Sequence, residues 1–326
     1  MSDGSCWPKI SIVTPSYNQG QFLEETIRSV CHQDYPNLEY MIIDGGSTDN
    51  SIEIMRKYQS FLTYWISEPD AGQSDAINKG WRKSTGEIIA WLNADDYYSP
   101  GALSHVATIF RENPEVVLVH GSANTHDQSG RTLLFTTAPQ DMDPYEMIAG
   151  CGGVTTQPSI FWRRVVLDEI GYLNPNLHYV MDWEYCIRIG LHFGTGRFRK
   201  TPVILSNNRD WPDTKTNTGW KDLCNEHRAV FDTIFTATDM TPRLEEIREA
   251  AYRSSFRRQA DLARRHGARF EALRAVYKAL RIGPFHHNPA RECYLILLIL
   301  AGSKYGEKIR AAIHPVTRRL DRHVGY

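Results

Sequence analysis

Ile10-Ser11-Ile12-Val13-Thr14-Pro15 is a β-branched run stopped by a proline, and the residues that follow, Gln21 to Gln33, repeat Phe22, Ile27 and Val30 at helical spacing. A short buried strand feeding an amphipathic helix is the first half of a βαβ unit. The pattern recurs outward from there. Tyr40 to Ile43 reads as a second strand closed by Gly45-Gly46, with Ser47 and Thr48 offering a cap for a helix through Tyr58. Thr63 to Ile66, Ile88 to Leu92 and Val116 to His120 read as further strands, separated by helices at Ser74 to Lys83 and Gly101 to Arg111. Strands alternating with helices predict an α/β fold with a mostly parallel sheet. Ligands of such sheets gather beyond the carboxyl ends of the strands, where Asp44 and Asn93-Ala94-Asp95-Asp96 fall.

The middle of the chain is less regular, with strands expected at Leu133 to Thr136 and Ser159 to Trp162 and helices near Arg164 to Ile170 and Asp182 to Phe193. Beyond Trp220 the pattern is helical throughout: Lys221 to Phe235, Pro242 to Arg265, Arg269 to Leu280 and Pro289 to Leu300. Charge changes at the same place. Residues 1–240 carry 19 Lys and Arg against 30 Asp and Glu, whereas residues 241–326 carry 18 against 8, inside a net charge of -1. The acidic body suits a site that gathers a cation; the basic tail suits an anionic partner or is simply a solvated helical face.

Six scattered cysteines show neither zinc spacing nor a disulfide framework. The N-terminus has no charged start leading into an apolar stretch, and the longest apolar run, Tyr294 to Ala301, is far short of the ~20 residues that span a bilayer. A cytoplasmic protein is expected, able to sit peripherally on the inner face of the membrane through its basic C-terminal helices. No nucleic-acid module is visible, and the acidic body argues against one.

Two adjacent carboxylates on a short turn after an apolar strand repel unless a cation joins them, and hard oxygen ligands suit Mn²⁺ or Mg²⁺. An isolated Asp-Asp pair is as readily a solvated turn; the position of Asp95 and Asp96 after the fourth strand points to the metal. Asp44, at a strand end beside two glycines, is placed to accept hydrogen bonds from a nucleobase or ribose. The loop Asp70 to Gly80 either caps a helix or covers a nucleotide.

Together, Ser11-Ile12-Val13-Thr14-Pro15-Ser16-Tyr17-Asn18, Asp44-Gly45-Gly46-Ser47-Thr48-Asp49, Asn78-Lys79-Gly80, Gly86 and Leu92-Asn93-Ala94-Asp95-Asp96 resemble, in order and spacing, the motifs of family 2 glycosyltransferases. The resemblance covers roughly residues 9–215 and implies a GT-A fold, a Rossmann-like mixed sheet flanked by helices, with residues 1–8 a flexible leader and 216–326 a helical extension. It implies that Thr14, Pro15, Tyr17, Asn18, Asp44, Gly72, Asn78, Lys79, Asn93 and Asp95 surround the nucleotide of a sugar donor, with UDP the expected nucleotide, and that Asp95 and Asp96 hold the metal. Asn93 stands where the first acid of the family's D-x-D commonly does. Asp182, opening a helix, takes the place of the family's catalytic base, with Glu184 as substitute. Gln157, His178, Trp183 and Glu184 are expected toward a saccharide or lipid-linked acceptor, in surface polysaccharide or glycolipid synthesis. Arg209 and Lys215 are expected on a lid over Asn207 to Thr218. Absence of Q-x-x-R-W and of spanning helices predicts addition of one sugar at a time; a homo-oligomer is compatible with all of this. The alternatives are a nucleotidyltransferase, which would have no use for Asp182, and a catalytically silent nucleotide-binding scaffold acting through its tail.

Overall fold

The computed structural model describes residues 7–152, 156–211, 214–237 and 240–283. The expected helix from Pro289 to Leu300, with Cys6 and Cys293, lies outside them. In chain order the elements are β1 (Ile10–Ser16), α1 (Gly20–Cys31), β2 (Leu38–Asp44), α2 (Ser51–Tyr58), β3 (Tyr64–Ser67), α3 (Gln73–Lys83), β4 (Ile88–Trp91), β5 (Tyr97–Tyr98), α4 (Ala102–Glu112), β6 (Leu118–His126), β7 (Thr132–Thr136), α5 (Pro144–Gly150), β8 (Ile160–Arg163), α6 (Val165–Ile170), α7 (Met181–Phe193), β9 (Phe198–Arg209), α8 (Lys215–Thr218), α9 (Trp220–Thr236), α10 (Pro242–Arg265) and α11 (Arg269–Ile282). They form two compact units. One comprises Met1–Met142 with Val154–Thr214, the other Asp143–Gly153 with Lys215–Tyr326.

The first unit carries one sheet in the order β3-β2-β1-β4-β8-β6-β9-β5, with β7 on β6. β3, β2, β1 and β4 run parallel, as βαβ crossovers require. β8 then enters antiparallel between β4 and β6, which makes the sheet mixed. Every residue of β1 is buried, as a central strand covered on both faces demands. α1 buries Leu23, Ile27 and Val30; Phe22, expected in that core face, is only half-buried and turns elsewhere. Beside this core Trp81, Trp91 and Trp162 meet edge to face at 5.3–5.6 Å, a geometry that suits their quadrupoles.

β9 escapes sequence patterning for a physical reason. It contains Pro202 and ends in Ser206-Asn207-Asn208-Arg209, both unlike a central strand. Its register against β6 passes from His120↔Lys200 to Ser122↔Ile204, so that residues 201–203 face Gly121 alone. Pro202 lies in this bulge, where no ladder hydrogen bond is required of it. Gly121 is needed opposite, because a Cβ there would stand 2.5 Å from Leu205 carbons. Trp7 and Pro8, assigned above to a flexible leader, are tied down: their carbonyls accept from the Asn37 amide and the Tyr35 hydroxyl.

The second unit is helical. Thr241 caps α10 through its side chain, with Pro242 at the first helical position. Arg258 of α10 donates to the Cys151 carbonyl and Arg243 pairs with Asp143, so the segment around α5 belongs with α10 although a hundred residues separate them. Lys215 opens α8 in this unit. No helix among the described residues is long and apolar enough to cross a membrane.

Candidate active site

The carboxyl ends of β1, β2 and β4 bring three loops together in the first unit. At β1, Tyr17 is 62% exposed and Asn18 takes a left-handed backbone (φ 51°). The Asn18 side-chain oxygen accepts from Thr48 N–H at 2.8 Å, and Ser47 Oγ accepts from Asn18 N–H at 2.8 Å. The expected capping by Ser47 and Thr48 is therefore replaced: both clamp the β1 loop to the β2 loop, and α2 begins later, at Ser51, with Asp49 Oδ1 accepting from its N–H.

Asp44 is corrected too. It does not point outward but is fully buried, accepting from Gly46 N–H, Ser47 N–H, Ser47 Oγ and Ser67 Oγ at 2.5–3.1 Å. It organises the Gly45-Gly46-Ser47 turn that a ligand would meet. Thr14 and Pro15 are likewise interior, Thr14 sharing a hydrogen bond with the Tyr40 hydroxyl. The carboxylate that sequence reasoning passed over is Asp70: a Cβ on Gly45 would stand 2.8 Å from its Oδ2. Burial raises its pKa, with the charges of Asp75 and Asp44 adding to the effect. The sequence marked Asp70 only as the start of a loop that caps a helix or covers a nucleotide; its place against Gly45 comes from the fold.

At β4, Asn93 to Asp96 form a turn in which the side chains have divided their work. Asn93 Nδ2 donates to Asp96 Oδ2 at 3.1 Å, and Asn93 Oδ1 accepts from Gln73 Nε2 at 2.8 Å. An aspartate could not donate to Asp96, so the departure from D-x-D makes this residue a strut. Asp96 is buried and also accepts from Arg209 N–H. Asp95 is half-buried, and its Oδ2 accepts from Trp211 Nε1 at 3.2 Å. Burial raises both pKa values, that of Asp96 well above the carboxylate range, with the neighbouring Asp95 charge adding to it. The Thr26 hydroxyl, within 2.8 Å of the Ala94 and Asp96 carbonyl oxygens, pins the turn to α1.

Arg209 closes this corner. Its guanidinium lies between the rings of Phe22 and Tyr97, 5.0 and 4.8 Å from their centroids, and donates to the Asp95 carbonyl and the Glu25 carboxylate. Trp211 packs edge-on against Phe22 at 5.3 Å. Lys215, expected on the same lid, falls in the other unit.

Asn78, expected at the nucleotide, is 2% exposed and bonds instead to both backbone groups of Leu173, through Nδ2 at 2.9 Å and Oδ1 at 3.1 Å. Ser74 Oγ donates to the Leu177 carbonyl, and Gly72 (φ 111°) leaves room for the exposed His178, whose Nδ1 would lie 3.1 Å from a Cβ there. α3 thus holds the segment that leads into α7 while its own Gln73 touches the acid turn. Lys79 is committed to Glu68 at 3.0 Å and Asp75 at 3.5 Å.

Asp182 lies half-buried in the first turn of α7, its Oδ1 accepting from Trp183 N–H; the named N-cap position is Val180. Glu184, the substitute base, accepts from Arg188 Nε at 2.6 Å and Nη2 at 3.0 Å in a two-pronged ion pair. Trp183 is buried, which removes it from the surface an acceptor could touch. Gln157 is buried against the end of β4, its amide donating to the Trp91 carbonyl at 3.0 Å.

Residues 11–162 match the family model described as glycosyl transferase family 2. Over those residues the chain is similar to glycosyl transferase family 2. An uncharacterized glycosyltransferase of Nostoc sp. is 30% identical over 51% of this chain and 54% of its own length. One of Rickettsia typhi is 26% identical over 66% and 69%. The chain thus spans about half the length of the Nostoc relative. Among solved structures, Staphylococcus aureus TarS (residues 1–349, in complex with UDP-GlcNAc) superposes with a TM-score of 0.63 at 16% identity, over 95% of this chain and 92% of that one. A mannosyltransferase of Pyrobaculum calidifontis in complex with GDP-Man and Mn²⁺ gives 0.58 at 19%, over 91% and 81%. These likenesses carry the fold of family 2, the GT-A fold.

Proposed function

We propose that the chain transfers one sugar from a nucleoside diphosphate donor to an acceptor hydroxyl with inversion at the anomeric carbon. The observation that carries this is the grouping, at the carboxyl ends of β1, β2 and β4, of the exposed Tyr17, the Gly45-Gly46 turn and the acid turn Asn93 to Asp96, with α3 anchoring the segment that leads to the half-buried Asp182. The match of residues 11–162 to the family model supports the reaction class. TarS with UDP-GlcNAc and the Pyrobaculum enzyme with GDP-Man share the fold, which supports a nucleotide-sugar donor and leaves the base to be assigned between uridine and guanine.

Tyr17 offers a ring face to the base, and Asp70 beside Gly45 offers an acceptor to base or ribose donors. Asp95 fits a divalent cation. It is an acid whose charge is disfavoured by burial and only partly offset by Arg209. No group of three or more His, Cys, Asp and Glu that could hold a metal occurs among the described residues, so Mn²⁺ or Mg²⁺ would take its remaining oxygens from the diphosphate and water, as such ions usually do. Asp95 would be the direct ligand, since Asp96 is spent on Asn93 and the Arg209 N–H. Bound there, the cation supplies neutralisation of the leaving diphosphate.

Asp182 takes the proton of the acceptor hydroxyl as the new bond forms, a contribution of typically ~10²–10⁴-fold in rate. Attack opposite the diphosphate converts an α-linked donor to a β-linked product. Surface polysaccharide or glycolipid assembly is the proposed setting. The test is release of nucleoside diphosphate from a panel of UDP-, GDP- and dTDP-sugars with Mn²⁺, Mg²⁺ or EDTA. Metal-dependent turnover of one donor, lost in Asp182→Asn with nucleotide affinity retained, supports the mechanism. Full turnover in Asp182→Asn or in EDTA refutes it.

A further inference from the structure

The second unit ends its described part in a helix whose apolar residues are sorted the wrong way for a purely internal element. α11 turns Ala272, Ala275, Val276 and Ala279 inward, the first three packing with Trp220, Ala260 and Ala263. Its larger apolar side chains face out: Phe270 is 80% exposed, Tyr277 60%, Leu273 39% and Leu280 37%. Positions 270, 273, 277 and 280 follow the three-then-four spacing of a single helical stripe. A folding requirement alone would have placed Phe and Leu inside and Ala outside.

Cations border the stripe. Arg274, Lys278 and Arg281 lie along one side of it by helical angle and Arg269 on the other, and all four are exposed. The single acid of α11, Glu271, is paired with Lys221 at 2.9 Å. The arginines of α10 are a different population. Arg264 bonds to Asp261, Arg258 to the Cys151 carbonyl, and Arg253 is mostly buried. Phe256 lies beneath Arg228 and Lys278. Among the described residues, the cations of α11 are therefore left at its surface while several arginines of α10 are taken up in ion pairs and hydrogen bonds within the unit.

We propose that the outer face of α11 seats on an anionic lipid bilayer, with Phe270, Leu273, Tyr277 and Leu280 entering the headgroup boundary and the four cations contacting lipid phosphates. An aromatic and leucine stripe with Lys and Arg alongside is the composition of helices that lie in that plane, and the basic border selects anionic over zwitterionic lipid. The reach of Lys and Arg stems lets the charges stay at the phosphates while the stripe is immersed. This surface is independent of the donor site, so its test does not depend on the reaction proposed above.

The experiment is co-sedimentation of the full chain with vesicles of phosphatidylcholine alone or mixed with phosphatidylglycerol, at low and high salt. Binding is expected to the mixed vesicles only, weakening as salt screens the charges. Arg274→Gln and Arg281→Gln should each weaken it about fivefold, and Phe270→Ser about tenfold or more. These residues are exposed, so circular dichroism and melting should match wild type, which separates lost binding from lost folding. Equal binding to neutral vesicles, no binding to either, or undiminished binding by the variants overturns the proposal. So does a dimer in light scattering that Phe270→Ser dissociates while vesicles leave the wild type in solution, which would give the face to a second copy.

Discussion

Replacing Arg209 with methionine keeps much of the side chain's length and removes its charge, so the loss can be summed from the contacts in place. The guanidinium donates to the Asp95 carbonyl, a charged hydrogen bond contributing about 1.5–3 kcal/mol. Its placement over Phe22 and Tyr97 adds about 0.5–1 kcal/mol per ring. Glu25 is 62% exposed, and a pair with such a partner contributes ~0–1 kcal/mol. The total is about 2.5–6 kcal/mol, toward the low end of the ~5–15 kcal/mol that keeps domains folded. A unit of this size loses ~2–4 °C per kcal/mol, so the first unit should melt roughly 5–24 °C lower. Scanning calorimetry is the suitable assay, because with two units the transition that moves must be separated from the one that does not. Arg209→Lys should fall between, since it restores the charge without the planar fork. Loosening the Asp95 turn should also cut kcat, about tenfold or more for a displacement near an ångström. If Arg209→Met melts within about 2 °C of wild type, the cage around this arginine contributes little and the account of the acid turn is wrong.

Three other outcomes are expected. Asn78→Ala leaves the Leu173 N–H and C=O unpaired, so stability should drop about 2–4 kcal/mol while nucleotide affinity in calorimetry stays near wild type and kcat falls; a large affinity loss with normal melting would return Asn78 to the nucleotide. Glu184→Gln should retain most activity, its effect confined to melting, because the carboxylate serves Arg188; abolished turnover in a stable protein would make it the base. Burial lowers the pKa of His120 to about 4 and that of His227 to about 3. The native state therefore binds fewer protons than the unfolded chain below pH ~6.5, and stability is present above that pH and lost as pH falls, by up to ~1.4 kcal/mol per histidine per pH unit. Melting from pH 7 to 5 should show this fall, smaller in His227→Gln; an identical slope in the two proteins would refute it.

The strands and helices of the parallel half of the sheet were legible because β-branched runs, helical spacing and glycine punctuation all agree there. What misled was polarity at strand ends and on α3. Asp44, Thr14 and Asn78 are the residue types a ligand would want, yet tight turns and loop anchors need buried acceptors and donors of the same kind, and sequence cannot tell the two uses apart. Glu184 could have been placed, since Glu-x-x-x-Arg is the spacing of a helical ion pair. Asp70 could not, because its partner is the absence of a side chain at Gly45.

The segment Asp143–Gly153 belongs with helices that begin at Lys215. During synthesis α5 emerges long before α10, so Met147 and Ile148 must wait uncovered while some ninety further residues are made. A gene fragment ending at Thr214 would encode the whole sheet of the first unit together with an orphaned apolar helix. The chain is therefore not modular at the level of DNA: its second unit cannot be cut away or exchanged as a block without also rewriting eleven codons in the middle of the first.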